Sequence, residues 1–228
     1  MSGASRALRR PWAWPHGRIH RSWGETTTYE EVYGNFKWNI PEFYNIADDV
    51  CDRWAADPAR VALVYENAQK TPRTYTFAEV RRLANQLANT LTGWGLTRGD
   101  RVTLLLAQDP ECAISHVACW KAGMVSGPCS VLFGGDAITY RLNDSGAKVL
   151  VTDMANYPKV AALRKDCPRL ERVLVIDGEP EGAQNWWKAI EGASEDFTNV
   201  RTRADDIAWI SYTSGTTGMP KGVMHSFG

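Results

Sequence analysis

The sequence predicts an α/β fold: layers of mostly parallel sheet with helices on both faces. Three observations predict it. From residue 102 onward short apolar runs alternate with amphipathic stretches, the runs are apolar on both faces, and the last of them leads directly into a loop rich in Gly, Ser and Thr. Strands apolar on both faces and separated by helices mark a parallel sheet covered on both sides. With 228 residues, 44% of them apolar and 23% charged, the chain has an ordinary globular composition and the length to bury a sizeable core.

The elements follow in order. Residues 1–40 read as a tail and lead-in. The first 24 residues carry Arg6, Arg9, Arg10, Arg18 and Arg21 with no acidic partner, as in a mitochondrial transit peptide, but Pro11, Pro15 and Gly17 interrupt any amphipathic helix. A cytoplasmic location is therefore the first reading, with the mitochondrial matrix as the alternative. Between Pro41 and Ala56 the apolar Phe43, Ile46, Ala47, Val50, Cys51 and Trp54 recur at helical spacing, and Asp57-Pro58 ends the helix. Two short strands follow, Val61 to Tyr65 and Arg73 to Tyr75. Thr76 and Glu79 then form a capping box for a helix whose Phe77, Val80, Leu83, Ala84, Leu87, Leu91 and Trp94 share one face, with Gly93 and Gly95 placed to stop it.

Beyond it the alternation predicts strands at 102–107, 124–129, 148–152 and 172–176. Helices are expected at 110–122, 136–144 and 157–165, with a shorter one at 185–190. Phe133-Gly134-Gly135 lacks dinucleotide-loop spacing and reads as a strand-to-helix turn. Trp186 and Trp187 read as packing residues.

Composition narrows the function classes. Lysine plus arginine equals aspartate plus glutamate at 26 each, which leaves no electrostatic footprint for nucleic acid. No apolar run reaches membrane-span length. Cys51, Cys112, Cys119, Cys129 and Cys167 are scattered, with no Cys-x-x-Cys pair, and read as reduced core residues.

The chemistry concentrates in Tyr212-Thr213-Ser214-Gly215-Thr216-Thr217-Gly218-Met219-Pro220-Lys221-Gly222. A run read as a buried strand, Ile207 to Ile210, feeds it. Gly215, Gly218 and Gly222 allow positive φ, so backbone N–H groups can turn inward as an anion nest. The hydroxyls of Thr213, Ser214, Thr216 and Thr217 add donors, and Lys221 adds a mobile positive charge. Such a loop suits a polyphosphate. It is not a Walker loop, because Pro220 precedes the lysine and Gly222 follows it where a hydroxyl would be needed.

This eleven-residue string resembles the phosphate loop of the adenylate-forming superfamily, which includes acyl-CoA synthetases, aryl-CoA ligases, luciferase and the adenylation domains of peptide synthetases. Tyr75-Thr76-Phe77-Ala78-Glu79-Val80 with the following Arg98-Gly99-Asp100-Arg101-Val102 is similar to an early segment of the same group. The resemblance implies that a carboxylic acid attacks ATP to give an acyl-adenylate and pyrophosphate, and that a thiol, usually that of coenzyme A, then takes the acyl group. It implies that Thr213, Ser214, Gly215, Thr216, Thr217, Gly218 and Lys221 grip the β- and γ-phosphates, that Mg²⁺ bridges phosphate oxygens, and that His225 lies near the acyl and α-phosphate pocket. A packing or surface role for His225 is the other reading.

The stretch from Phe36 to Ala47 looks like the lead-in of the acetyl- to medium-chain acyl-CoA synthetases, with aryl-CoA ligases the next nearest branch. Residues 41–228 are expected to be the N-terminal portion of an AMP-binding domain ending just after the phosphate loop. The adenine and ribose ligands, the C-terminal domain and its catalytic lysine would then be absent, and the chain alone is expected to be inactive. Two other readings stay open: a non-catalytic ATP-binding module, and the adenylation domain of a peptide synthetase.

Overall fold

A computed structural model of the chain describes residues 28–213 and 218–228. The described residues up to Asn39 form a unit of their own, in which α1 (Tyr29–Asn35) opens on a capping box between Thr28 and Glu31 and buries none of its residues.

The unit from Ile40 onward begins with α2 (Ile46–Val50) and a 3₁₀ turn at Asp52–Trp54, not the continuous helix expected over 41–56. Two local facts account for this. Residues 43 and 44 are tied to a distant segment, Phe43 bridging Arg203 and the Tyr44 N–H donating to the Thr202 carbonyl, and Cys51 leaves the helical region at φ −134°, ψ −64°. The strands β1 (Val61–Glu66) and β2 (Pro72–Thr76) then pair antiparallel as a separate hairpin.

Next comes α3 (Phe77–Gly93), capped by Thr76 and Glu79 as the sequence predicts and burying Val80, Leu83, Ala84, Leu87, Ala88 and Leu91. It ends in a Schellman motif: the Gly95 N–H reaches the Thr92 carbonyl, the Leu96 N–H reaches that of Leu91, and Gly95 takes φ +89°, a conformation glycine accepts without strain.

The alternating region gives β3 (Arg101–Leu105), α4 (Pro110–Lys121), β4 (Val125–Pro128), α5 (Gly135–Ser145), β5 (Val149–Thr152), α6 (Tyr157–Leu163), β6 (Arg172–Val175), β7 (Gln184–Asn185), α7 (Trp186–Ile190), β8 (Ile207–Thr213) and β9 (Lys221–Ser226). Among the described residues the large sheet runs β7-β6-β5-β3-β4-β8-β9, parallel throughout except for the antiparallel β8–β9 hairpin at one edge.

Its two faces hold two cores. Leu104, Val149, Val151 and Leu174 pack with α3, α4 and Trp186 on one side, and Leu105, Leu150, Val173 and Val175 pack with Ile138, Leu142 and Val160 of α5 and α6 on the other. Trp186 is fully buried, so it is a packing residue. All five cysteines are free thiols, four of them buried. Burial holds Cys112 and Cys129 at about 11, so neither is a thiolate at neutral pH.

Two polar anchors tie the segment before β8 to α4. Asn45 donates to the carbonyls of Trp120 and Val200 at 2.8 and 3.0 Å while its own oxygen caps α2. Lys121, fully buried at the end of α4, meets both Asp52 oxygens at 2.5 Å, and Asn199 bridges Asp52 and Asp48. Removing the carboxylate strands a buried ammonium, so Asp52→Ala is expected to lower unfolding stability by about 3–5 kcal/mol in a urea titration.

Candidate phosphate-binding site

The candidate site stands at the hairpin end of the sheet. The sequence run read as a buried strand proves longer and less buried: β8 extends to Thr213, and of its seven residues only Ala208 is buried. The reason is β9, an edge strand not foreseen from the sequence, which covers one side of β8 by hydrogen bonding but brings few side chains to bury it. Pairing runs Trp209 with His225, Ile210 with Met224, Ser211 with Val223, Tyr212 with Gly222 and Thr213 with Lys221.

Because side chains alternate along a strand and paired residues share a face, this register sorts the site into two sides. Trp209, Ser211 and Thr213 lie with His225, Val223 and Lys221 on the face toward α4, where Trp209 stacks on His116 at 4.6 Å. Ile210 and Tyr212 lie with Met224 and Gly222 on the face toward α5. The structure thus brings Thr213, Lys221 and His225 onto one side of one hairpin, all three exposed. His225 is about 13 Å along the strand from Lys221, so the two side chains address different parts of any ligand. Ser214, Gly215, Thr216 and Thr217 lie outside the described residues.

The glycines divide in role. Gly218 has φ +155°, a backbone conformation that side-chain-bearing residues rarely adopt. Gly222 does not follow that reading: it sits within β9, and a Cβ there would meet Ile210 Cγ2 at 3.2 Å and the Tyr212 ring at 3.3 Å. A side chain there would press on Ile210 and on that aromatic ring.

That ring is held from α5. The Tyr212 hydroxyl donates to Asp144 at 2.6 Å, the Arg141 guanidinium lies 5.3 Å from the ring centroid, and Tyr140 meets it edge-on at 6.2 Å. Burial, reinforced by the bond to Asp144, raises the Tyr212 pKa, so the phenol stays a neutral donor. Arg141 is itself buried, makes no ion pair among the described residues, and has an Nε without a partner. Tyr140, Arg141 and Asp144 carry no signal in the sequence, because they belong to an amphipathic helix more than sixty residues away.

On the opposite face a cleft of about 360 Å³ opens at the carboxyl ends of β3 and β4, lined by Tyr65, Leu106, Asp109, Cys112, His116 and Trp209. This is the point where the connections leaving the neighbouring strands β3 and β4 run in opposite directions, the usual place for a crevice in an open α/β sheet.

A family profile described as AMP-binding enzyme matches residues 51–228. The chain belongs to that family. Its relatives are acyl-CoA synthetases: acyl-coenzyme A synthetase ACSM5, mitochondrial, of Mus musculus is 37% identical over 82% of this chain and 34% of its own length, and the human ACSM3, mitochondrial, is 34% identical over 88% and 36%. Among solved structures, the Brucella canis acyl-CoA synthetase superposes with a TM-score of 0.79 at 30% identity, covering 87% of this chain and 38% of that one. The anthranilate CoA ligase AuaEII in complex with anthranoyl-AMP gives 0.74 at 29%, covering 82% and 36%. The chain therefore spans about a third of the length of these family members.

Burial pushes the His116 pKa down to about 4. Below the unfolded value of about 6.5 the unfolded chain takes up a proton that the folded chain refuses, so stability is full above pH 6.5 and is lost as pH falls toward 4, by about 3 kcal/mol in all. Denaturant titrations between pH 7 and 4 should show this slope, and His116→Gln should flatten it.

Proposed function

We propose that this chain is the nucleotide-gripping part of an AMP-forming acyl-CoA synthetase, in which the Thr213–Lys221 loop holds the β- and γ-phosphates of ATP. The observation that carries the reading is the β8–β9 hairpin, which sets Thr213 and Lys221 opposite each other, exposed, at the two feet of a Gly-, Ser- and Thr-rich loop. In the first step a carboxylate oxygen of the acid attacks the α-phosphorus and the bond to the β-phosphate oxygen breaks. Pyrophosphate leaves and an acyl-adenylate remains. In the second, the thiol of coenzyme A attacks the acyl carbon and AMP leaves.

Within that scheme the loop acts on the leaving group. Hydroxyls of Thr213, Ser214, Thr216 and Thr217 donate to phosphate oxygens, and the Lys221 ammonium supplies positive charge where negative charge accumulates as pyrophosphate departs. His225, on the same side of the hairpin but farther from the loop, is assigned to the α-phosphate and acyl end. Mg²⁺ accompanies ATP in such chemistry. Among the described residues no group of three or more His, Cys, Asp or Glu side chains could hold a metal ion, so no protein ligand is assigned to it and no step runs through it.

The acetyl- to medium-chain branch fits the Phe36–Ala47 lead-in best. The relatives named mitochondrial favour the mitochondrial matrix over the cytoplasm as the site of action. Residues 1–27, where an address would lie, are outside the described residues.

ATP at one hundred times its Kd is expected to stabilise the chain by about 2.7 kcal/mol in thermal melting. Lys221→Ala should lose most of that shift. A wild-type chain with no shift would leave a scaffold without a nucleotide site. ATP binding without acid-dependent pyrophosphate release, measured on protein that contains this chain, would favour the non-catalytic module.

A further inference from the structure

We propose that Tyr140 is a positioning residue for the phosphate loop, fixing one foot of it through the Pro220 carbonyl while Asp144 fixes the other through Tyr212. The inference rests on the reading of the loop as the phosphate grip. Tyr140 donates to the Pro220 carbonyl at 2.9 Å, and Tyr212 donates to Asp144 at 2.6 Å. Pro220 immediately precedes Lys221, and Tyr212 immediately precedes Thr213. Both feet of the loop are therefore tied to one helix, by residues four apart and so on the same face of α5.

Pro220 explains why an outside hydrogen bond is needed. The hairpin pairing reaches Thr213 and Lys221, and the next residue outward on this strand has no N–H with which to continue it. The Tyr140 phenol takes over at that position, bonding the carbonyl that the ladder leaves. Around it, the edge-on contact of the Tyr140 and Tyr212 rings and the buried Arg141 cation beside Tyr212 leave the two phenols little freedom.

A glycine-rich loop binds an anion well only if its backbone is already set, since otherwise binding carries the cost of ordering it. Tyr140 and Asp144 set the feet on the α5 side of the sheet, leaving the α4 side, where Thr213 and Lys221 point, free for the ligand. Neither residue touches the phosphates.

The test uses Tyr140→Phe in the 228-residue chain, with Tyr157→Phe as control, because Tyr157 likewise donates a phenol to a backbone carbonyl, that of Glu181, away from the hairpin. Amide hydrogen exchange without ligand is read first at Gly218, Met219, Lys221 and Gly222, and pyrophosphate affinity is then measured by calorimetry. Tyr140→Phe is expected to speed exchange at these amides and raise the pyrophosphate Kd by about three- to tenfold, the scale of one lost hydrogen bond, with little change in ligand-free melting temperature. Asp144→Ala should act in the same direction, and Tyr157→Phe should move neither quantity.

Unchanged exchange in Tyr140→Phe overturns the clamp. Faster exchange with an unchanged Kd reduces Tyr140 to a structural residue and overturns its positioning role. If wild-type chain binds neither pyrophosphate nor ATP, the phosphate-grip reading itself falls and takes the inference with it.

Discussion

The architecture depends on a reversal in the order of strand addition, β4 being laid on one side of β3 and β5 on the other. The connection through α4 leads to β4 on one side, and the connection through α5 crosses back to β5 on the other. Right-handed crossovers running in opposite directions must pass over opposite faces of the sheet, which is why the molecule has two cores instead of one. The same reversal decides where the chemistry can sit. When the chain returns to add β8 beside β4, the hairpin it starts has α4 on one face and α5 on the other. One helix therefore borders the side that carries Thr213, Lys221 and His225, and the other grips the hairpin from behind.

That division explains how a polar loop at the edge of a sheet can be held in place. An edge strand normally leaves half its backbone unpaired and moves readily. Here the hairpin is restrained at Tyr212 and Pro220 by side chains from α5, and a buried arginine stacks beside the Tyr212 ring. Gly222 belongs to the same device, since its missing side chain is the space the ring fills. On the proposed reading of the loop as a phosphate grip, this arrangement suits a loop that meets a large negative charge without first having to be ordered.

The buried polar groups elsewhere serve a different end. Lys121 with Asp52 and Asn199, and Asn45 with Trp120 and Val200, fasten the stretches before β8 and before α3 to the end of α4. His116, neutral between Trp120 and Trp209 and bonded to Ser126, links α4 to β4 and β8. Each joins segments far apart in sequence, so they fix which strand lies beside which and leave the bulk of the stability to the apolar cores.

By itself the sequence determined the fold class, α3 with its caps, the parallel strands β3, β4, β5, β6 and β8 to within a few residues though not the short β7, and the Gly-, Ser- and Thr-rich string that points to the family. These depend on local periodicity, capping chemistry and glycine spacing, all of which are contained in short windows. It did not determine that residues 42–44 would lie outside the helix, because their hydrogen-bond partners lie at 202–204. Nor did it show β9, whose residues alternate too weakly in polarity for an edge strand to stand out. Only the tertiary structure decided which site residues share a face, what a side chain at Gly222 would press on, and that Tyr140 and Asp144 stand behind the hairpin. A helix carries no mark in its own sequence of the strand against which it will be laid. That proximity is created by the crossover, and the crossover exists only once the sheet has formed.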